Sequence, residues 1–300
     1  MSFARLCARG AAVCCLPLAL GLGGTHAHAH VHWSRPNDTA PDCLALYHLN
    51  DASAAPGSVL SAAPGQPAGL GLLVGSPAGA PMTITTDVAE PFFGPGSLAL
   101  ASTQSAESSA PLTDLDGDLT IEFWFKWEPT MTSSSLQVGL ESGARLQVTR
   151  DMSTPANDRF GVAATHGDFR SAPGFTNWAD VGSEEASLNH WHHVALTISS
   201  AGIHYDSALG HDVYSTGTVA RIYLNGHATG AAPHTLDLTG LRVHDTSRLQ
   251  IRALGGGGVL IDEVTIWKKD WSENGTVPNP FSDGRGAGAP AAVPMWRLYD

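Results

Sequence analysis

Leu119 to Pro129 reads LTIEFWFKWEP. Ile121, Phe123, Phe125 and Trp127 fall on one side of an extended chain, Thr120, Glu122, Trp124 and Lys126 on the other, and Pro129 stops the run. A period of two belongs to a strand, and proline cannot donate to a ladder, so this stretch is expected to be a half-buried strand of an antiparallel sheet. NHWHHVALTISS, Asn189 to Ser200, keeps the same period, with Trp191, His193, Ala195 and Thr197 on one side and His192, Val194, Leu196 and Ile198 on the other. His192 and His193 therefore face opposite ways and cannot share one metal ion with His190 unless the strand bulges.

Outward from these two, β-type runs recur between turn residues: CLALYHL from Cys43, GLGLLV from Gly69, MTITT from Met82, LQVGLES and ARLQVTR joined through Ser142-Gly143, FGVAA from Phe160, VARIYLNGHATG, LQIRAL and VLIDEVTIW. Asn225-Gly226 is a strong hairpin signal, because both central residues of a type I′ turn need positive φ. No long stretch carries apolar residues at helical spacing. About a dozen strands without intervening helices predict two packed antiparallel sheets. LGGGGV, Leu254 to Val259, joins two β runs and opens no helix, so it reads as a flexible turn rather than a phosphate loop.

Arg5 and Arg9, the apolar stretch Ala11 to Leu22, and Ala27-His28-Ala29 fit an export signal over residues 1–29, with a mature chain starting at His30. Its removal leaves 14 of the 16 basic side chains against 28 acidic ones, a formal charge of −14. Such a surface opposes nucleic acid and anionic lipid as partners. No other segment approaches the length and apolarity of a membrane span. Cys43 alone survives cleavage, and Leu44, Leu46 and Leu49 after it suggest a buried thiol. Residues 30–42 are polar, and 273–300 are low in complexity and cannot form a core. One domain is expected over 43–272.

In order along the chain, ALYHLND, FGPGSLAL, LTIEFWFKW, NHWHHVALTI, ARIYLNGHATG and GVLIDEVTIWKKDWS resemble the laminin-G-like jelly rolls of the concanavalin A-like lectin and glucanase superfamily. The resemblance implies an all-β, two-sheet antiparallel jelly-roll sandwich with a glycan or protein ligand. It also implies calcium near the ligand-facing loops, for which Asn50, Asp51, Asp262 and Glu263 supply oxygen donors at matching places. The other reading of the same residues has Asp51 capping a turn and Asp262 bonding backbone. Adjacent Asp262 and Glu263 are expected to point to opposite faces.

The spaced carboxylates of related glucanases are missing: Glu122 and Glu128 stand six apart, with Trp124 and Lys126 between them on the same face. Asp114, Asp116 and Asp118 in TDLDGDLT read as a solvated turn. Two segments, Asp151 to Glu185 and His204 to Gly217, are longer and more polar than hairpins need, and such loop insertions are where scaffolds keep specificity. Their aromatic residues Phe175, Trp178, Tyr205 and Tyr214 are the candidate sugar platforms. The reading is a secreted, non-catalytic recognition domain that binds polysaccharide, another glycan or an extracellular protein, with calcium as a candidate cofactor. A structural or adhesive surface protein is the alternative, and an atypical glycoside hydrolase, dependent on Glu122, a third.

Overall fold

The structure, a computed structural model, describes residues 42–51, 57–63, 66, 70–75, 82–89, 95–101, 103–127, 133–151, 159–166, 179–180, 190–224, 227–228, 235–256, 258–268 and 270. Its strands are, in chain order, β1 (Cys43–Tyr47), β2 (Val59–Leu60), β3 (Leu72–Gly75), β4 (Thr83–Thr85), β5 (Ser97–Leu100), β6 (Ser105–Ser108), β7 (Leu119–Trp127), β8 (Ser133–Leu140) and β9 (Ala144–Asp151). There follow β10 (Arg159–His166), β11 (Ala179–Asp180), β12 (Trp191–Ser199), β13 (Ile203–Asp206), β14 (His211–Tyr214), β15 (Val219–Leu224), β16 (His227–Ala228), β17 (Thr235–Asp237), β18 (Leu249–Gly256) and β19 (Val259–Trp267). Among the described residues there is no helix long and apolar enough to cross a membrane.

Two antiparallel sheets form a sandwich. The first, of nine strands, runs β16-β15-β12-β7-β19-β5-β4, with β1 also on β19 and β17 also on β15. The second, of eight, runs β11-β10-β9-β8-β18-β6-β3-β2, and β13 and β14 make a separate hairpin. Alternation decides what lies between them. Ile121, Phe123, Phe125 and Trp127 of β7 meet Leu136 and Val138 of β8, Leu146 and Val148 of β9, and Leu249 and Ile251 of β18 in one apolar core. Each such side chain contributes about 1.5–3 kcal/mol when fully buried.

The opposite side of β7 departs from expectation. All nine of its residues are buried, not alternate ones. Trp124 and Trp267 pack with Leu46, Ala195, Tyr223, Ala63 and Cys43, and Ala89 and Trp191 close the margin. A second, smaller apolar layer therefore covers the outer face of the nine-strand sheet. Cys43 is buried in it as a thiol.

Three local readings change. The stretch from His204 to Gly217 is not an open loop but carries β13 and β14, paired from Ile203↔Tyr214 to Asp206↔His211. Asp206 makes this possible, since its Oδ1 accepts from the backbone N–H of Ala208 (2.8 Å) and Leu209 (3.1 Å) and so closes the turn without help from either sheet. Of LGGGGV, Leu254, Gly255 and Gly256 are ladder residues opposite Ser135, Ser134 and Ser133, so the flexible turn is shorter than its glycines suggest. Leu224 pairs with His227 as the hairpin signal requires, while Asn225 and Gly226 themselves lie outside the described residues.

Candidate functional site

Strand register brings the chemistry-bearing side chains of the nine-strand sheet into rows on its outer face. Trp191, Lys126 and Leu260 form one row; His193, Trp124 and Asp262 form the next; Ala195, Glu122 and Thr265 form a third. Glu122 has no exposure. Its Oε1 accepts from Trp267 Nε1 at 2.7 Å, and its Oε2 lies 3.2 Å from His193 Nε2. His193 leans on the Trp124 ring, while His192, on the core side, leans on Phe125, with centroids 5.3 and 5.7 Å apart. The two histidines thus face opposite ways, as the alternation requires. Nearer the margin, Asp87 takes Lys126 Nζ at 2.5 Å and Trp191 Nε1 at 3.0 Å. On this face Glu122 and Asp87 thus hold Trp267, Lys126 and Trp191 by hydrogen bonds. Glu128 lies outside the described residues.

One edge of β19 is shared by two strands. Val259, Leu260 and Ile261 pair with β5, whereas Val264 to Trp267 pair with β1. Asp262 and Glu263 occupy the seam, where the register with β7 shifts by a bulge and Glu263 takes φ 48°. A bulge inserts a residue, so the two carboxylates do not alternate across the sheet as adjacent positions normally would. Glu263 receives His48 Nδ1 at 2.8 Å from both its oxygens. Asp262 accepts from Glu263 N at 2.9 Å and Ala89 N at 3.2 Å. Burial, and then the neighbouring Glu263 carboxylate, push its pKa up to about 8, against the lowering effect of those two N–H groups.

The other two sequence-predicted oxygen donors lie apart in role. Asn50 Oδ1 accepts from Gly96 N at 2.9 Å, and the Asp51 carboxylate takes Ser61 N at 3.0 Å and Ser61 Oγ at 2.9 Å. Each thus ties its own segment to a neighbouring one, Asn50 to Gly96 and Asp51 to Ser61. No group of three or more His, Cys, Asp or Glu side chains arranged to hold an ion occurs among the described residues. Asp262 with Glu263 is the pair a cation would draw on. Of TDLDGDLT, Asp118 Oδ1 accepts from Ser200 N at 2.8 Å and Asp114 pairs with Lys268 at 3.1 Å.

The four aromatic candidates divide. Phe175 and Trp178 lie outside the described residues. Tyr214 is not a loop ring: it is 5% exposed within the core, and burial, then Asp116, push its hydroxyl to about 12. It packs there because β14 is tied by Tyr214 N→Leu241 O (2.9 Å) and Val243 N→Asp212 O (2.9 Å) to the segment beside it. Tyr205, on β13 of the same hairpin, is 64% exposed, with Leu209 of the turn 56% exposed.

The outer face of the eight-strand sheet is built differently and was missed in the sequence. Its rows carry Gln147, Gln137, Arg252, Ser105 and Gly75, then Arg145, Gly139, Gln250, Glu107 and Leu73. Gln137 Nε2 donates to Gln147 Oε1 at 2.9 Å, Gln147 Nε2 to Thr149 Oγ1 at 3.1 Å, and Gln250 Nε2 to Glu107 Oε2 at 3.0 Å. Gly139, at φ 151°, has no room for a side chain, because a Cβ would stand 2.6 Å from the backbone of Ala144 and Arg145. The sequence signal was polar alternation in LQVGL, RLQVT and LQIRAL, the same period that marked the core.

The family model described as the concanavalin A-like lectin/glucanases superfamily matches residues 100–274. Among solved structures, Trypanosoma rangeli sialidase is similar at 14% identity and TM-score 0.46 over 77% of this chain, which spans only 31% of the sialidase's length. Domain 4 of a GH43 extracellular arabinanase from Geobacillus stearothermophilus, in complex with arabinotriose, is similar at 12% identity and TM-score 0.42, over 76% of this chain and 93% of that one. No curated protein matches the sequence.

Proposed function

This chain belongs to the concanavalin A-like lectin/glucanases superfamily, and from that premise we propose that it is an exported recognition domain, without catalysis of its own, that binds a glycan or a glycosylated partner through one loop end of the sandwich. Tyr205 carries the reading. Its ring is 64% exposed on a hairpin whose turn Asp206 holds and whose base Tyr214 roots in the core. A rigid, solvent-facing ring of this kind packs against the apolar face of a pyranose. Calcium at Asp262 and Glu263 is the assisting ion in this proposal, since a cation there relieves the repulsion between adjoining carboxylates.

Thermal unfolding of the chain from His30, with calcium, with chelator and against a polysaccharide panel, tests it, because a ligand selective for the native state raises the midpoint. A sugar-induced rise that Tyr205→Ala abolishes supports the reading, and a calcium-induced rise that Asp262→Ala abolishes supports its ionic part. No response to any sugar transfers the weight to the adhesive alternative. That alternative has its own support in Val59 and Leu73, paired across β2 and β3 and 54% and 44% exposed.

A further inference from the structure

We infer that the β13-β14 hairpin docks a basic segment of a partner protein, with Tyr205 receiving a lysine or arginine side chain on its ring and Asp212 receiving its charge. The inference rests on the reading of Tyr205 as the ligand-facing ring and names the partner of that same site. Tyr205 and Leu209, at 64% and 56% exposure, are the two most exposed large apolar side chains among the described residues, and this one hairpin carries both. An exposed tyrosine beside an exposed aliphatic residue is the kind of anchor that a protein partner buries. The hairpin is also held in advance. Asp206 fixes the turn through the N–H groups of Ala208 and Leu209, and Gly210 N adds a bond to Asp206 O at 2.8 Å, so little order remains to be imposed on binding.

Register sets what stands beside the ring. Tyr205 pairs with Asp212, so ring and carboxylate share one face of the hairpin, with about 5 Å between Cβ atoms. Asp212 is exposed. Val213 pairs with both His204 and Arg242, so those two basic side chains alternate to the other face. The face of a tyrosine ring attracts an ammonium or guanidinium group, and a carboxylate next to it supplies the counter-charge. The surroundings carry the same sign. Exposed Asp116 acts electrostatically on Tyr214 of β14, and exposed Asp245 lies on the segment tied to Leu115 by a 3.1 Å backbone bond. Lys268, which could neutralise this end, is paired with Asp114 at 3.1 Å.

Charge chooses the occupant. A second copy of this chain brings the same formal charge of −12 and is repelled. A small inorganic cation satisfies Asp212 but leaves the apolar surface of Tyr205 and Leu209 in water. A lysine or arginine of a protein meets both needs at once, because its methylene stem covers apolar surface while its head stays charged. The negative charge of the whole chain then steers such a partner toward it.

The test is titration calorimetry of the chain from His30 with oligo-arginine and oligo-lysine peptides, with poly-glutamate as control and hydrogen exchange to locate the contact. At least one basic peptide should bind, more weakly as salt rises, and should protect residues 203–214. Tyr205→Ala should weaken binding about tenfold and Asp212→Asn about threefold, whereas Tyr205→Phe, which keeps the ring, should match the wild type. All three should keep the wild-type melting temperature, since both side chains are exposed. Glu107→Gln removes the same charge from the eight-strand sheet and should leave binding unchanged. Three results overturn the proposal: no basic peptide bound at low salt, undiminished binding by Tyr205→Ala, or equal losses in Glu107→Gln and Asp212→Asn. The glycan reading fails separately. A polysaccharide lost in Tyr205→Ala, while that variant still binds basic peptides in full, keeps the glycan and overturns the basic partner; basic peptides bound through Tyr205 with no sugar bound do the reverse.

Discussion

The two sheets of this sandwich turn their backs on very different surroundings. Behind the nine-strand sheet, Trp124, Trp267 and Tyr223 roof over a polar belt in which Glu122, His193 and Trp267 answer one another. Behind the eight-strand sheet lie glutamines, serines and a threonine, most of them at partial exposure, with Arg252 half-buried among them. Both faces come from the same alternation of core and non-core residues. The difference shows that a strand's second face is a free variable: filled with aromatics it is roofed over, and filled with amides and hydroxyls it stays polar and partly exposed.

Trp267→Ala should break the closed face most severely. It empties a site with no exposure and strips Glu122 of its 2.7 Å donor, a loss of about 3–5 kcal/mol readable as a lower denaturant midpoint at unchanged m. Glu122→Ala should cost about 3 kcal/mol, because it leaves His193 and the Trp267 N–H facing an unpaired interior; a double-mutant cycle with His193→Ala would show the coupling. On the open face, Gly139→Ala should cost about 2 kcal/mol, since both its φ of 151° and the 2.6 Å approach to Ala144 and Arg145 refuse a methyl group.

Asp262, at the seam of the closed face, predicts a pH effect. Its carboxyl titrates near 8 rather than in the ordinary carboxylate range. Because the folded value is the higher one, its stabilising contribution is complete below the ordinary carboxylate value of 3.8 and is lost progressively as pH rises from there to about 8. Melting temperature should therefore fall over that window, and Asp262→Asn should flatten the fall; an equal slope in the variant would assign the effect to other groups. The smallest change is expected from Gln137→Ala, about 0.5 kcal/mol or less, since its one described partner, Gln147, regains water. A larger loss would show that the amide row is structural and would remove the contrast between the faces.

Sequence periodicity carried the fold as far as neighbours in the chain could. Ile121, Phe123, Phe125 and Trp127 announced the core, and His192 and His193 announced opposite faces, because period two needs no knowledge of partners. What period two cannot say is whether the second face is roofed. Trp124 and Lys126 looked solvent-facing because Ala63, Asp87 and Ala89, which cover or pair with them, are distant in sequence. Short strands were invisible for a related reason: β2 and β11 hold two residues each, too few to alternate. Asp262 and Glu263 were assigned to opposite faces on the same rule, which a bulge suspends. Tyr214 and Tyr205 looked alike in a polar stretch, yet the hairpin buries one and presents the other, and only the pairing of β14 with residues 241–243 decides which.

The seam on β19 also bears on how the molecule comes into being. β1, the first described strand, pairs with Val264 to Trp267 of β19, so the ladder partners of Tyr47 and Leu46 lie more than two hundred positions later. β7 is likewise flanked by β12 and β19, both distant in the chain. Contacts of such range must be closed against chain entropy before they repay it, which makes folding slow and the completion of the nine-strand sheet a late event. Until residue 267 is available, Cys43, Leu46 and Trp124 lack the largest ring of their cluster, and a chain cut short before β19 lacks the described strand on which β1 is seated.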